Sequence, residues 1–235
     1  LNPKILKKTS LGRLKFSKGF FLADVFYFLI YQSTKRFPML IIFFTLGSSK
    51  VLDGISSKFS SFYANLVQIY PNEFTATIII ILAILIADLA FYIHHRLGHS
   101  IDIIWDHHEF HHSATEMTIL NKDRVGFLQA TFTAPFVIPI NAFSALLLNE
   151  YLKLGYLIPV LIFCLNIYMQ MMFEVMGHSS TKVIYPKPLS YIFMSPALHW
   201  LHHSDNPNHH DCNFSMHFCF WDKIFGTYLG EENLK

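Results

Sequence analysis

The chain has 235 residues, enough for one domain of ordinary size, and its net charge of +2 with His neutral is too small for a nucleic-acid-binding surface. Hydrophobic residues make up 52% and charged residues 14%, against about 25% charged in soluble domains, so the composition favours a membrane protein. The three cysteines, Cys164, Cys212 and Cys219, show no metal-type pair, and free thiols on a reducing face are expected.

Residues 1–18 carry Lys4, Lys7, Lys8, Arg13, Lys15 and Lys18, which by the positive-inside rule places this end in the cytoplasm. No small-residue cleavage site follows, so no cleavable signal peptide is expected. Residues 20–31 and 37–47 are apolar, but each is shorter than the roughly 20 residues a span needs. Lys35 and Arg36 separate them, and together they make either one irregular crossing or a shallow hairpin. With the polar loop 48–73 they form an N-terminal basic tail and membrane-associated segment, 1–73.

Residues 74–93 (FTATIIIILAILIADLAFYI) are the clearest spanning helix. Asp88 lies near its end, seven residues before His95. A carboxylate at membrane depth is costly, and here it is expected to take a hydrogen bond from a ligand imidazole and fix its orientation. Residues 126–148 and 154–173 are two further apolar stretches, the first kinked at Pro135 and Pro139. They form a helical hairpin, so 94–125 and 175–235 should face one compartment. Arg96, Lys122, Arg124, Lys182, Lys187 and Lys223 make that side cytoplasmic.

The segment 94–112, HHRLGHSIDIIWDHHEFHH, is dense in His. His95 and His99 are four apart, and His108, His111 and His112 stand at i, i+3 and i+4. On a helix these offsets share one face. The same triad recurs as His199, His202 and His203, and His178 sits just past the last apolar stretch. Neutral imidazole suits iron, zinc, copper and nickel. The two triads and the first pair exceed what one first-row ion accepts, so two ions should share them. Among the carboxylates Asp106, Glu109, Glu174, Asp205 and Asp211, one or two should accept an outer imidazole N–H. His209 and His210 are assigned to a solvent-lining loop or an outer layer, and His217 to a structural role. The aromatic run from Phe214 to Phe225 is read first as packing. No paired Glu-x-x-His, no His-Glu-x-x-His and no Gly-rich phosphate loop occurs.

The order of these motifs resembles the fatty acid hydroxylase / sterol desaturase superfamily. The family pattern falls on Asp88 with Tyr92, on His95 and His99, on His108, His111 and His112, on His178, and on His199, His202 and His203. Trp105, three before His108, sets that register over the neighbouring His94 and His107. The closing signature falls on Asn213-Phe214-Ser215, with Ser215 where the family has Gly, and on Trp221-Asp222 through Phe225-Gly226-Thr227.

The resemblance implies an all-α integral membrane bundle of about four transmembrane helices, with a cytosolic His-rich cap holding a dimetal site. Residues 74–235 would be the catalytic domain. It implies two iron ions, with zinc a possible substitute in purified protein, and O2 as oxidant. Cytochrome b5 or a ferredoxin-type protein would supply electrons, and the substrate would be a membrane lipid of sterol or fatty-acyl type, hydroxylated or desaturated at an unactivated C–H bond. Two other functions compete. A His-rich membrane metal carrier would want its ligands inside the spans. A membrane zinc hydrolase would use three ligands and leave most of these His unexplained.

Overall fold

The computed structural model describes residues 72–114, 117–124, 144, 147, 148 and 151–234, with a few scattered positions before 72. Of the expected segment 20–31, Leu22, Val25, Phe26, Phe28, Leu29 and Ile30 are described and helical, whereas 37–47 and all of 126–148 except 144, 147 and 148 lie outside the described residues. The described residues are helical, with no strand beyond one isolated antiparallel bridge between Phe193 and Phe218. The principal helices are α1 (Glu73–Ser100), α2 (Asp102–His112) and α3 (Leu157–Gly177). Shorter ones follow: α4 (Lys187–Ser190), α5 (Pro196–His202) and α6 (Phe220–Phe225).

α1 starts where Asn72 caps it, its Oδ1 accepting from Thr75 N and Thr75 Oγ1 at 2.9 Å each. It is longer than the expected span. The Ile-rich stretch continues without a break through Ser100, so the first His pair rides on the same helix as the apolar run. The most apolar 18-residue stretches of α1 and α3 have mean hydropathies of 2.6 and 1.7, and both helices are long and apolar enough to cross a membrane. Only 33% and 11% of their apolar windows are buried within the protein, which is not how the core helix of a soluble domain behaves. α3 begins three residues later than expected because Gly155 takes a left-handed φ of 75° and Tyr156 is extended. It ends four residues later, at Gly177.

The starts of α1 and α3 are tied together, since Ile158 N donates to Glu73 Oε1 at 2.9 Å. From there His95 is about 33 Å along α1, and His178 about 30 Å along α3 at 1.5 Å per residue. Two helices leaving one level therefore deliver imidazoles to one level. Between them pack Ala76, Ile80 and Ile84 of α1 with Leu147 and Tyr151. A second apolar cluster joins Phe173 of α3 to Met194, Leu198, Leu201 and Cys219, and so seats α5 against the end of α3.

Candidate metal centre

The chain reverses at the end of α1. Ile101 leaves helical geometry (φ −116°, ψ 114°), and its carbonyl then accepts from Ile104 N and Trp105 N to start α2. α2 thus folds back on the helix that precedes it. His108 and His112, one turn apart on α2, come to face His95 and His99, one turn apart on α1. His202 of α5 closes this group from the other side. One ring nitrogen from each of His95, His99, His108, His112 and His202 lies within 4.8 Å of every other, and His111, His178, His199 and His203 form a second group by the same measure. All nine ligand candidates read from the sequence fall in these two groups. His94 and His107 fall in neither. The His112 and His203 rings stack across the boundary at 4.3 Å, so the two groups are neighbours.

The arrangement of nitrogens fits metal ions. His112 Nε2 stands 3.1 Å from both His99 Nε2 and His108 Nε2. His178 Nε2 stands 3.1 Å from His111 Nε2 and 3.2 Å from His199 Nε2. A metal–imidazole bond of about 2.1 Å puts neighbouring ligand nitrogens about 3.0–3.4 Å apart in octahedral or tetrahedral geometry. A ring nitrogen carries either a proton or a lone pair. His178 Nδ1 is within 2.9 Å of the Glu174 carbonyl and donates to it, so the neutral ring turns a bare Nε2 toward two others. His202 Nε2 is buried with no protein partner. Converging lone pairs in a buried place are what a cation compensates.

Electrostatics keeps these rings in the ligating form. Burial, followed by repulsion from neighbouring imidazoles, holds His111, His112, His199 and His203 well below the ordinary imidazole value of 6.5. Burial does the same to His202, against a smaller opposing hydrogen bond to Cys212. His178 is lowered to about 4, again chiefly by burial. All six are neutral at pH 7, with lone pairs available.

The loop Cys212–Ser215 orients two of these rings. His95 Nδ1 donates to the Phe214 carbonyl (2.8 Å) and His202 Nδ1 to the Cys212 carbonyl (2.7 Å). Each bond fixes the tautomer that leaves Nε2 bare. The loop is itself held from behind. Asp222 Oδ1 accepts from Phe214 N at 2.8 Å and Thr227 Oγ1 at 2.7 Å, and Asp222 Oδ2 from Ser215 N at 3.0 Å. Asn213, in the left-handed region at φ 54°, donates through Nδ2 to the Leu198 and Leu229 carbonyls and accepts from Leu229 N. Gly226, at φ 74°, ends α6 so that Thr227 N reaches back to the Asp222 carbonyl. The closing sequence signature is therefore a scaffold for two backbone carbonyls. Spacing gave no sign of this, because carbonyls carry no sequence signature. Ser215 is not among the residues with positive φ, so its backbone has no need of the glycine the family has there.

Asp88 departs from expectation. Its carboxylate does not turn to a ligand imidazole. Oδ1 accepts from His217 N (3.0 Å) and His217 Nδ1 (3.1 Å), and Oδ2 from Phe218 N (3.1 Å). The reason is distance: seven helical residues separate Asp88 from His95 by about 10.5 Å along the axis, and His95 Nδ1 is already bonded to Phe214. His217 is thus the residue that binds Asp88, a pairing the sequence does not reveal. Tyr92 serves a related purpose. Its hydroxyl meets Thr227 Oγ1 at 3.0 Å and accepts from Arg96 Nη1 at 3.1 Å, while its ring stacks on Phe225.

Of the five carboxylates close to the His segments, Asp211 comes within 3.4 Å of His99 Nδ1. Glu174 contributes its carbonyl, not its carboxylate. Glu109, Asp205 and Asp211 line a cleft of about 710 Å³ that also touches His99, His112, His202, His203 and His210. Both imidazole groups are therefore reachable from one opening.

The fatty acid hydroxylase family model matches residues 80–227, which include every member of both groups. Alkylglycerol monooxygenase of Xenopus tropicalis is 28% identical over 146 residues, covering 62% of this chain and 29% of that protein. The Homo sapiens alkylglycerol monooxygenase is 29% identical over 151 residues, 64% of this chain and 30% of its own length. Ornithine lipid hydroxylase OlsE of Rhizobium tropici is 26% identical over 196 residues, 78% of this chain and 54% of its own. The chain thus spans about a third to a half of the length of these curated relatives. No solved structure matches it.

Proposed function

The chain belongs to the fatty acid hydroxylase family, and from that premise we propose that it is an O2-dependent di-iron enzyme that hydroxylates an unactivated C–H bond of a membrane lipid. The observation that carries this reading is the gathering of nine imidazoles into two adjoining groups at the ends of two apolar helices. His95, His99, His108, His112 and His202 would hold one ion, and His111, His178, His199 and His203 the other. Bound iron supplies the O2 chemistry that no side chain can perform. This chain's residues hold the ions, orient the rings through the Phe214, Cys212 and Glu174 carbonyls, and place the centre where apolar helices emerge from the bilayer. A substrate dissolved in the membrane then meets the site without crossing water.

Several finer points belong to the same reading. The remaining spans fall in 20–47 and 126–148, giving about four transmembrane helices, with 74–235 as the catalytic domain. The Lys and Arg residues flanking the His segments support a cytoplasmic side for the centre. An electron donor of cytochrome b5 or ferredoxin type delivers two electrons per turnover. The relatives' names favour hydroxylation over desaturation. They leave the lipid open between ether-linked, aminolipid, sterol and fatty-acyl types.

The test combines metal counting with isotope incorporation. Protein purified with iron should hold two ions per chain, and membranes carrying it under 18O2 should yield a lipid with one 18O atom. His202→Ala should lose at least one ion and all turnover. Full turnover by that variant, or a single zinc per chain at saturation, would overturn the reading.

A further inference from the structure

The two imidazole groups are not equivalent. In the five-membered group the outer nitrogens of His95 and His202 are bonded to backbone carbonyls at 2.8 and 2.7 Å, and that of His99 faces Asp211 at 3.4 Å. In the four-membered group only His178 has such a bond. His111 Nδ1, His199 Nδ1 and both nitrogens of His203 are buried with no protein partner. Apart from the inward approaches of His111 and His199 Nε2 to His178 Nε2, at 3.1 and 3.2 Å, those three rings are placed by packing. Phe173 meets the edge of His199 with centroids 5.3 Å apart, and the His112 ring stacks on His203. Packing fixes the plane of a ring less firmly than a hydrogen bond along its N–H does, and it does not choose the tautomer.

We propose that the two groups are metal sites of unequal affinity. The group His95, His99, His108, His112 and His202 is the preorganised site that fills first and exchanges slowly. The group His111, His178, His199 and His203 fills second and exchanges readily. Asp211 is a positioning residue of the first site, acting through His99. The inference rests on the proposed dimetal reading. Ligand number and ring orientation both point the same way: the first site has one more imidazole, and its rings are already turned. Outer hydrogen bonds of this kind change metal affinity about 10–100-fold when one is removed, so the two sites should differ by at least about tenfold.

Asp211 provides a test that leaves folding aside. Its carboxylate is 73% exposed and its backbone is left-handed at φ 56°, a conformation Asn adopts readily. The full chain in detergent, stripped of metal, would be titrated anaerobically with Co2+ as probe. Visible absorption would report filling, and chelator competition would report the two affinities. The expected result is two separable steps at one and two equivalents. Asp211→Asn should weaken the first step about tenfold and leave the second unchanged. Two ions binding with indistinguishable affinity, or Asp211→Asn weakening the second step alone, would overturn the inequality while leaving the dimetal reading intact. Saturation at one ion would overturn both.

Discussion

Asp222→Asn isolates the scaffold from the ligands. The side chain is fully buried and touches no imidazole, yet it holds the loop whose carbonyls turn His95 and His202. Burial pushes its carboxyl above the usual value, against hydrogen bonds from Ser215, Thr227 and Phe214 that pull it down. An amide keeps one oxygen and sets an NH2 where the other stood, so either Phe214 N or Ser215 N faces a donor. A buried backbone N–H left without an acceptor costs about 1–3 kcal/mol. Asp222 holds two successive backbone N–H groups of the loop, so much of that cost should be relieved by the loop moving. If it moves, the carbonyls of Cys212 and Phe214 move with it, and two of five rings in the first group lose their orientation. The expected loss of metal affinity is about 10–100-fold and confined to that group. The assay is metal content per chain across a chelator series, read beside the thermal midpoint of the metal-free protein. A variant that melts lower but retains both ions at the wild-type chelator concentration would refute the argument, showing that Asp222 stabilises the fold without governing the site.

Two further substitutions separate packing from ligation. A Cβ at Gly177 would stand 3.0 Å from His199 Cδ2, while Ala in a helix is favoured over Gly by about 0.5–1 kcal/mol; Gly177→Ala should therefore leave the metal-free protein no less stable but displace His199. Calorimetry and metal counting together would show an unchanged midpoint with weaker binding of one ion, and unchanged binding would mean that the ring tolerates the shift. Asp88→Asn places an NH2 against one of the donors His217 N, His217 Nδ1 or Phe218 N, and should lower stability by about 1–3 kcal/mol with two ions still bound. His217→Ala should be milder in a denaturant melt, because both backbone donors remain, and loss of either ion in these variants would show that Asp88 governs the centre after all.

The clustering of the imidazoles was legible because helices write their geometry into spacing. Offsets of three and four put His108, His111 and His112 on one face whatever the rest of the chain does, and the repeat at His199, His202 and His203 says the same of a second helix. What spacing does not encode is the direction of that face relative to another helix. Both triads divide between the two groups. His108 and His112 go to one and His111 to the other, and His202 parts from His199 and His203. A turn of about 100° per residue separates them, so each triad straddles the boundary between the sites. The start of α1 and both limits of α3 were legible to within a few residues. The end of α1 was not, because polarity at His94 does not mark an end: the helix carries on to Ser100 as long as its backbone bonds do.

Asp88 shows the other limit. A carboxylate seven residues before a ligand, on the same face, invites the reading that the two interact. Side chains on one helix meet at three or four residues and not at seven. The partner had to come from elsewhere in the fold, and it came from a residue 129 positions away. The consequence reaches past one residue. Asp88 fastens the chain at His217 and Phe218, and Asp222 fastens it at Phe214 and Ser215. Tyr92 of α1 meets Thr227 just beyond. The segment 212–227 is thus pinned to the helix carrying His95 and His99 at Phe214, at His217 and Phe218, and at Thr227, and to itself through Asp222. It is through this pinned segment, and not by direct contact, that the Asp88 carboxylate is connected to the imidazoles further along α1.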